Sequence, residues 1–189
     1  MKTYDFVHLV LHAFDGSIQG RTKLQKIVYF VGALTDPLGD LGYRPHYYGP
    51  YSSEVTAAVN ELQGLGFLQQ TSSSAGAVDP HGFEVARYDY TLTPEGKQIA
   101  QEKADRFPEE WARIRAVAEH LKSSNANDYV KLSIAAKAYF LLGERGGHAT
   151  IAELVGMMPR FGWNVTRDQV SEAGEFLGSL GLIQLQGSQ

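Results

Sequence analysis

The sequence predicts a mainly α protein with a small β-hairpin (an α+β class), built as tandem winged-helix or helix-turn-helix units. Two observations carry that prediction. Over residues 3–92, stretches with helical apolar spacing come first and alternating stretches follow, the order of a winged helix. Residues 54–69, EVTAAVNELQGLGFLQ, also recur as 169–184, QVSEAGEFLGSLGLIQ, with six identities in sixteen positions.

The elements follow in order. Phe6, Val7, Val10, Leu11 and Phe14 mark a first helix, stopped by Asp15-Gly16. A second runs over about 21–34 on Leu24, Ile27, Val28 and Val31, with Thr22 as a candidate cap and Asp36-Pro37 as its end. Residues 43–49 are aromatic and extended, with Pro45 marking a short edge strand. Ser52 or Ser53 caps a third helix carrying Val55, Val59 and Leu62, which ends at Gly64-Leu65-Gly66. Residues 67–71 form a strand, 72–82 a loop rich in Ser, Gly, Asp and Pro, and 83–92 the returning strand. Thr93-Pro94-Glu95 opens a long helical region that Pro108 interrupts. Trp111, Ile114, Val117, Ala118 and Leu121 form the stripe of its second piece. Asp128 caps a helix to about 142, and glycines and a short helix near 150–158 precede the repeated segment. The expected division is a winged-helix domain at 1–97, a linking helical region at 98–126 and a second helix-turn-helix-like domain at 127–189.

Composition narrows the function classes. The chain has 189 residues, 43% of them hydrophobic and 20% charged, the balance of a folded protein. It has no cysteine, which excludes disulfides, thiolate metal sites and a cysteine nucleophile and fits a cytoplasmic location. His8 and His12 break the first apolar run and no small-residue cleavage site follows, so no signal peptide is expected. No apolar run reaches the roughly 18 residues of a membrane span. Nucleophile-elbow, zinc-protease and dinucleotide fingerprints are absent, so no enzyme, catalytic residue or cofactor is expected.

The blocks Gly20-Arg21-Thr22-Lys23-Leu24-Gln25-Lys26-Ile27-Val28-Tyr29-Phe30, Tyr47-Tyr48-Gly49-Pro50-Tyr51-Ser52-Ser53-Glu54-Val55 and Tyr90-Thr91-Leu92-Thr93-Pro94-Glu95-Gly96 occur in that order. Over about residues 5–100 the chain resembles the YwgA-like family of small winged-helix proteins. A more distant likeness is to the Panacea domain of antitoxins, which shares the Leu-Gln-Lys helix followed by Tyr-Gly-Pro. That domain usually continues Gly-Pro-Val, whereas Tyr51 follows here. The Tyr-Thr-Leu-Thr-x-x-Gly exit also resembles the end of the wing in MarR- and PadR-type regulators. The resemblance implies a regulator-like fold and brings no known activity with it.

Net charge is −4, against the strong basicity of a dedicated nucleic-acid coat. Residues 52–65, the recognition helix of a DNA reader, hold Glu54 and Glu61 and no Lys or Arg. Asn60 can read a base edge. Arg87 stands alone against Glu61, Asp79, Glu84 and Asp89 over 61–93, so the wing is acidic. A local grip on the phosphate backbone therefore falls to Arg21, Lys23, Lys26 and Arg44, with Lys23 and Lys26 sharing a helix face.

Tyr43, His46, Tyr47, Tyr48 and Tyr51 fall within nine residues. Tyrosines combine apolar area with a hydroxyl and suit an interface, although the same rings can pack on Tyr29 and Phe30. Trp111 is a further candidate partner contact, including in a homodimer. His8 and His12, with Asp5 and Asp15, have the spacing of a weak metal constellation, outweighed by a polar outer face; no metal is expected. Two functions stay open: a regulator-like protein binding duplex DNA through the basic patch and the loop around 72–82, and an antitoxin-like or adaptor module that keeps the fold and binds a protein.

Overall fold

The computed structural model describes residues 1–36, 38–78, 84–124 and 128–184. The first half has winged-helix order: α1 (Thr3–Ala13), β1 (Ser17–Gln19), α2 (Arg21–Thr35), a 3-10 turn (Leu38–Leu41), α3 (Ser53–Gly64), β2 (Leu68–Val78) and β3 (Glu84–Leu92). Then come α4 (Pro94–Arg106), α5 (Pro108–Ser123), α6 (Tyr129–Glu144), α7 (Ile151–Met157), a 3-10 turn (Met158–Phe161) and α8 (Arg167–Ser179). The protein is mostly helical with a small sheet that forms a hairpin-like wing.

The sheet has three strands, not the two of the predicted hairpin, with β3 in the middle. β1 pairs with it antiparallel, Ile18 opposite Tyr90, and β2 pairs on the other side, Leu68 opposite Leu92. β1 is too short to show a period in sequence. Its Ile18 is buried, so pairing and burial, not propensity, make it a strand. β2 is also longer than expected. The Ser-rich run read as loop from residue 72 continues the ladder, with Ser72, Ser73 and Ser74 opposite Tyr88, Arg87 and Ala86 before the register shifts. Residues 79–82 of that loop and Phe83 of the returning strand lie outside the described residues, as do Pro37, Asn125 and Leu185.

α1 lies against α3, α4 and α5, and Phe6 to Leu11 are buried without a break. A helix enclosed this way is buried all round rather than on one stripe. The polar outer face expected at His8 is therefore absent: His8 is fully buried, its Nε2 donating to the Gly96 carbonyl at 2.8 Å and its ring stacked on Phe67. Burial, then the Lys103 charge, push its pKa down to about 4. His12 instead stacks on Trp111 with 5.1 Å between centroids. Among the described residues no group of His, Asp and Glu could hold a metal ion.

Caps follow sequence with one exception. Gly20, not Thr22, is the N-cap of α2. Ser52 Oγ accepts from Val55 N at 2.9 Å, Thr93 Oγ1 from Gly96 N at 3.0 Å, and Asp128 from Val130 N. Thr150 and Thr166 form capping boxes with Glu153 and Gln169. In the second half α8 packs on α6 and α7, and α6 packs on α2. Phe176 meets Phe30 edge-on at 5.8 Å, so the buried residues of both halves form a continuous core. No helix among the described residues is long and apolar enough to cross a membrane.

Candidate functional site

The Leu-Gln-Lys and Tyr-Gly-Pro blocks meet in a buried polar clasp. Gln25 on α2 is 3% exposed. Its amide donates to the Ser52 carbonyl at 3.0 Å and accepts from Ser52 N at 3.0 Å, copying a strand's hydrogen bonds with one side chain. The amide also donates to Thr56 Oγ1 at 3.1 Å, and Tyr51 and Thr56 share a hydroxyl bond of 2.7 Å. The Tyr43 hydroxyl donates to the Gln25 carbonyl at 2.8 Å. Lys26 donates its ammonium to the Pro50 carbonyl. Each of these polar groups has at least one partner inside the clasp, and a partnered network of this kind specifies one geometry. The clasp thereby fixes the start of α3.

Between Tyr43 and Tyr51 the chain makes a tight loop. The edge strand expected at 43–49 reduces to a single bridge, with Arg44 and Tyr51 exchanging two backbone bonds of 2.9 Å. The tyrosine cluster divides there. Tyr43 packs edge-on against Tyr29 at 4.8 Å, and burial raises its pKa well above the ordinary value. Tyr51 is half-buried on Thr56. Tyr47 and Tyr48 stand out at 65% and 56% exposed, edge-to-face with each other. The loop is held from the second half by Trp163, whose Nε1 donates to the His46 carbonyl at 2.8 Å.

The expected basic patch is rearranged. Lys26 is only 2% exposed, so it does not share a solvent-facing surface with Lys23. Burial, then the Lys137 charge, push its pKa down to about 7. Arg44 is exposed elsewhere, at the foot of the tyrosine loop, near Glu54, whose pKa is lowered first by its own backbone amide and the Ser53 hydroxyl and least by the Arg44 charge. Arg21 and Lys23 in the first turn of α2 gain a companion that sequence reasoning assigned to an acidic wing. Arg87 on β3 lies close enough that its charge, after burial, lowers the Lys23 pKa. Arg21 lies over the Tyr88 ring, 4.3 Å from its centroid. Arg87 donates to Gln19 at 2.6 Å and pairs with Asp89 at 2.9 Å, which offsets one wing carboxylate. No sequence signal joins residues 21–23 to 87, because the link runs through the β1–β3 ladder.

Asn60 is exposed on α3, on a face that also exposes Ser53, Glu54, Ala57 and Glu61. Trp111, on α5, is half-buried against His12 of α1. An open groove is lined by Tyr43, Arg44, Tyr139, Phe140, Arg167 and Leu182 among others.

No family model matches the chain. The chain is similar to the Bacillus subtilis (strain 168) protein named "Uncharacterized protein YwgA", 38% identical over 82 residues. That match covers 43% of this chain and 45% of the relative, so the chain spans less than half of that relative's length.

Proposed function

We propose that the chain is a regulator-like winged-helix binding protein, not an enzyme, that works in the cytoplasm and holds the phosphate backbone of duplex DNA with Arg21, Lys23 and Arg87. The observation that supports this reading is the convergence of these cations at the junction of α2 and β3. Phosphate contacts supply most of the affinity of such proteins and need no base readout. The exposed carboxylates of α3 repel phosphate, so base contact on this reading is confined to Asn60.

Fluorescence anisotropy with a random duplex tests it. Three phosphates released from their counterions give an affinity that falls about fortyfold between roughly 50 and 200 mM salt. Arg21→Gln, Lys23→Gln and Arg87→Gln together should abolish binding while leaving the unfolding midpoint near wild type. Absence of binding at either salt, or a triple variant that binds normally, overturns the reading.

A second reading is supported by the exposed Tyr47–Tyr48 pair. Aromatic anchors on a loop whose base is already locked lose little entropy on docking. On this reading the chain is an antitoxin-like or adaptor module, and a homodimer is one form it takes. A defined protein retained by the wild type and released by Tyr47→Ala/Tyr48→Ala, with DNA affinity unchanged, supports it. An identical partner set for both proteins counts against it.

A further inference from the structure

Two lysines from opposite halves of the chain close on one turn. A Cβ added at Gly49 would lie 3.2 Å from Lys26 Cε and 3.2 Å from Lys137 Cγ, so both aliphatic stems rest against that backbone. Lys26 is buried, and of its three ammonium protons the Pro50 carbonyl takes one. Lys137 on α6 is half-buried, its ammonium 5.5 Å from the centroid of the Trp163 ring. Neither forms an ion pair among the described residues. The charge that acts on Lys26 is that of Lys137, and Lys137 is perturbed by burial alone. No carboxylate from α2, α6 or the loop offsets either.

Charges taken out of water are ordinarily paired, because desolvation is costly. Below pH 7 these lysines are two cations gathered without an anion, the inverse of that rule. We propose that the Lys26–Lys137 pair at the Gly49 turn binds a phosphate monoester or inorganic phosphate, with Lys137 making the contact and Lys26 supplying a second charge from beneath. A phosphate carries about −1.5 to −2 at neutral pH and matches two ammonium groups, whereas a carboxylate matches one. The exposed rings of Tyr47 and Tyr48 stand on the same loop, and a Cβ at Gly162, next to Trp163, would touch Tyr47 at 3.8 Å. A base attached to the phosphate would meet aromatic surface there. The site shares no residue with Arg21, Lys23 or Arg87.

The experiment is isothermal titration calorimetry of the full chain with inorganic phosphate, adenosine monophosphate and sulfate. Sulfate stays a dianion throughout, so its pH dependence reports the protein alone. Its affinity should fall about tenfold from pH 6 to pH 8 as Lys26 loses its proton. Lys137→Met should weaken all three ligands at least about tenfold, as expected for loss of a charge-assisted contact. Lys26→Met should remove the pH dependence. Because Lys26→Met also removes the bond to Pro50, its unfolding midpoint is measured alongside, and Lys137→Met decides the matter if that variant fails to fold. Tighter binding of adenosine monophosphate than of phosphate places the base on the tyrosines; equal binding defines an oxyanion site, and both support the proposal. No heat with any ligand, or a Lys137→Met protein that binds like wild type, overturns it.

Discussion

The exit of α3 and the exit of α8 begin alike and end differently. In both, the residue before the glycine is helical, at φ −83°, ψ −2° for Leu65 and φ −80°, ψ −6° for Leu180. Both glycines are left-handed, at φ 74° for Gly66 and 72° for Gly181. Both turns close the same way, Phe67 N to Leu62 O at 2.9 Å and Leu182 N to Leu177 O at 3.0 Å. Val55, Ala58 and Leu62 are buried, and so are Val170, Ala173 and Leu177. After the turn, Leu68 enters a ladder with β3, while Leu182 to Gln184 have no strand partner among the described residues. The aligned leucines have opposite fates: Leu65 is 53% exposed and Leu180 is 7% exposed. Local sequence writes the turn; the neighbour waiting beyond it writes the element.

The largest expected effect tests what pins the first exit. A Cβ at Gly96 would overlap the Phe67 carbonyl oxygen, which belongs to the backbone and has nowhere to move. Thr93 Oγ1 donates to the Gly66 carbonyl at 2.9 Å from the same helix start. Gly96→Ala should lower stability by about 3 kcal/mol or more in urea denaturation, an overpacking cost at the upper end. An unchanged midpoint would mean that α4 does not lock the entrance to β2.

Next come the aligned leucines. Leu180→Ala should cost about 2 kcal/mol as a buried truncation, and Leu65→Ala less than about 0.5 kcal/mol as a surface change. Equal costs would erase the contrast between the two exits. The shared turn predicts the reverse pattern for the glycines. Gly66→Ala and Gly181→Ala should each lose about 1 kcal/mol, the cost of a side chain in the left-handed region, and should match within error.

The smallest effect at neutral pH concerns His8, which has no counterpart on α8. Its folded pKa of about 4 lies below the ordinary 6.5, so the unfolded chain binds a proton that the folded one refuses. Its contribution is complete above pH 6.5 and is lost as pH falls through 4. His8→Gln should flatten the decline of the denaturation midpoint over that window; a variant with the wild-type slope would assign the acid lability elsewhere.

Much of the fold was legible in sequence. Ser52, Thr93 and Asp128 cap the helices that follow them, and Pro108 separates α4 from α5, because capping and proline chemistry are local. The candidate site was less legible. Arg21 and Lys23 were visible as cations, but Arg87 reaches them through strand pairing. Lys26 read as a face-sharing partner of Lys23 because spacing gives angular position and not depth. Tyr43 and Tyr47 look alike in sequence, and only packing on Tyr29 separates the core ring from the exposed one.

By itself, the sequence determined where helices start and stop, the two left-handed glycine exits and the winged-helix order of the first half. These depend on φ preferences, missing amide protons and side-chain caps within a few residues. The tertiary structure alone decided that Ser17–Gln19 is a strand, that His8 is neutral and buried, and that Lys26 and Lys137 meet at one glycine. Those outcomes depend on desolvation and on contacts between residues tens of positions apart, where no local preference carries information.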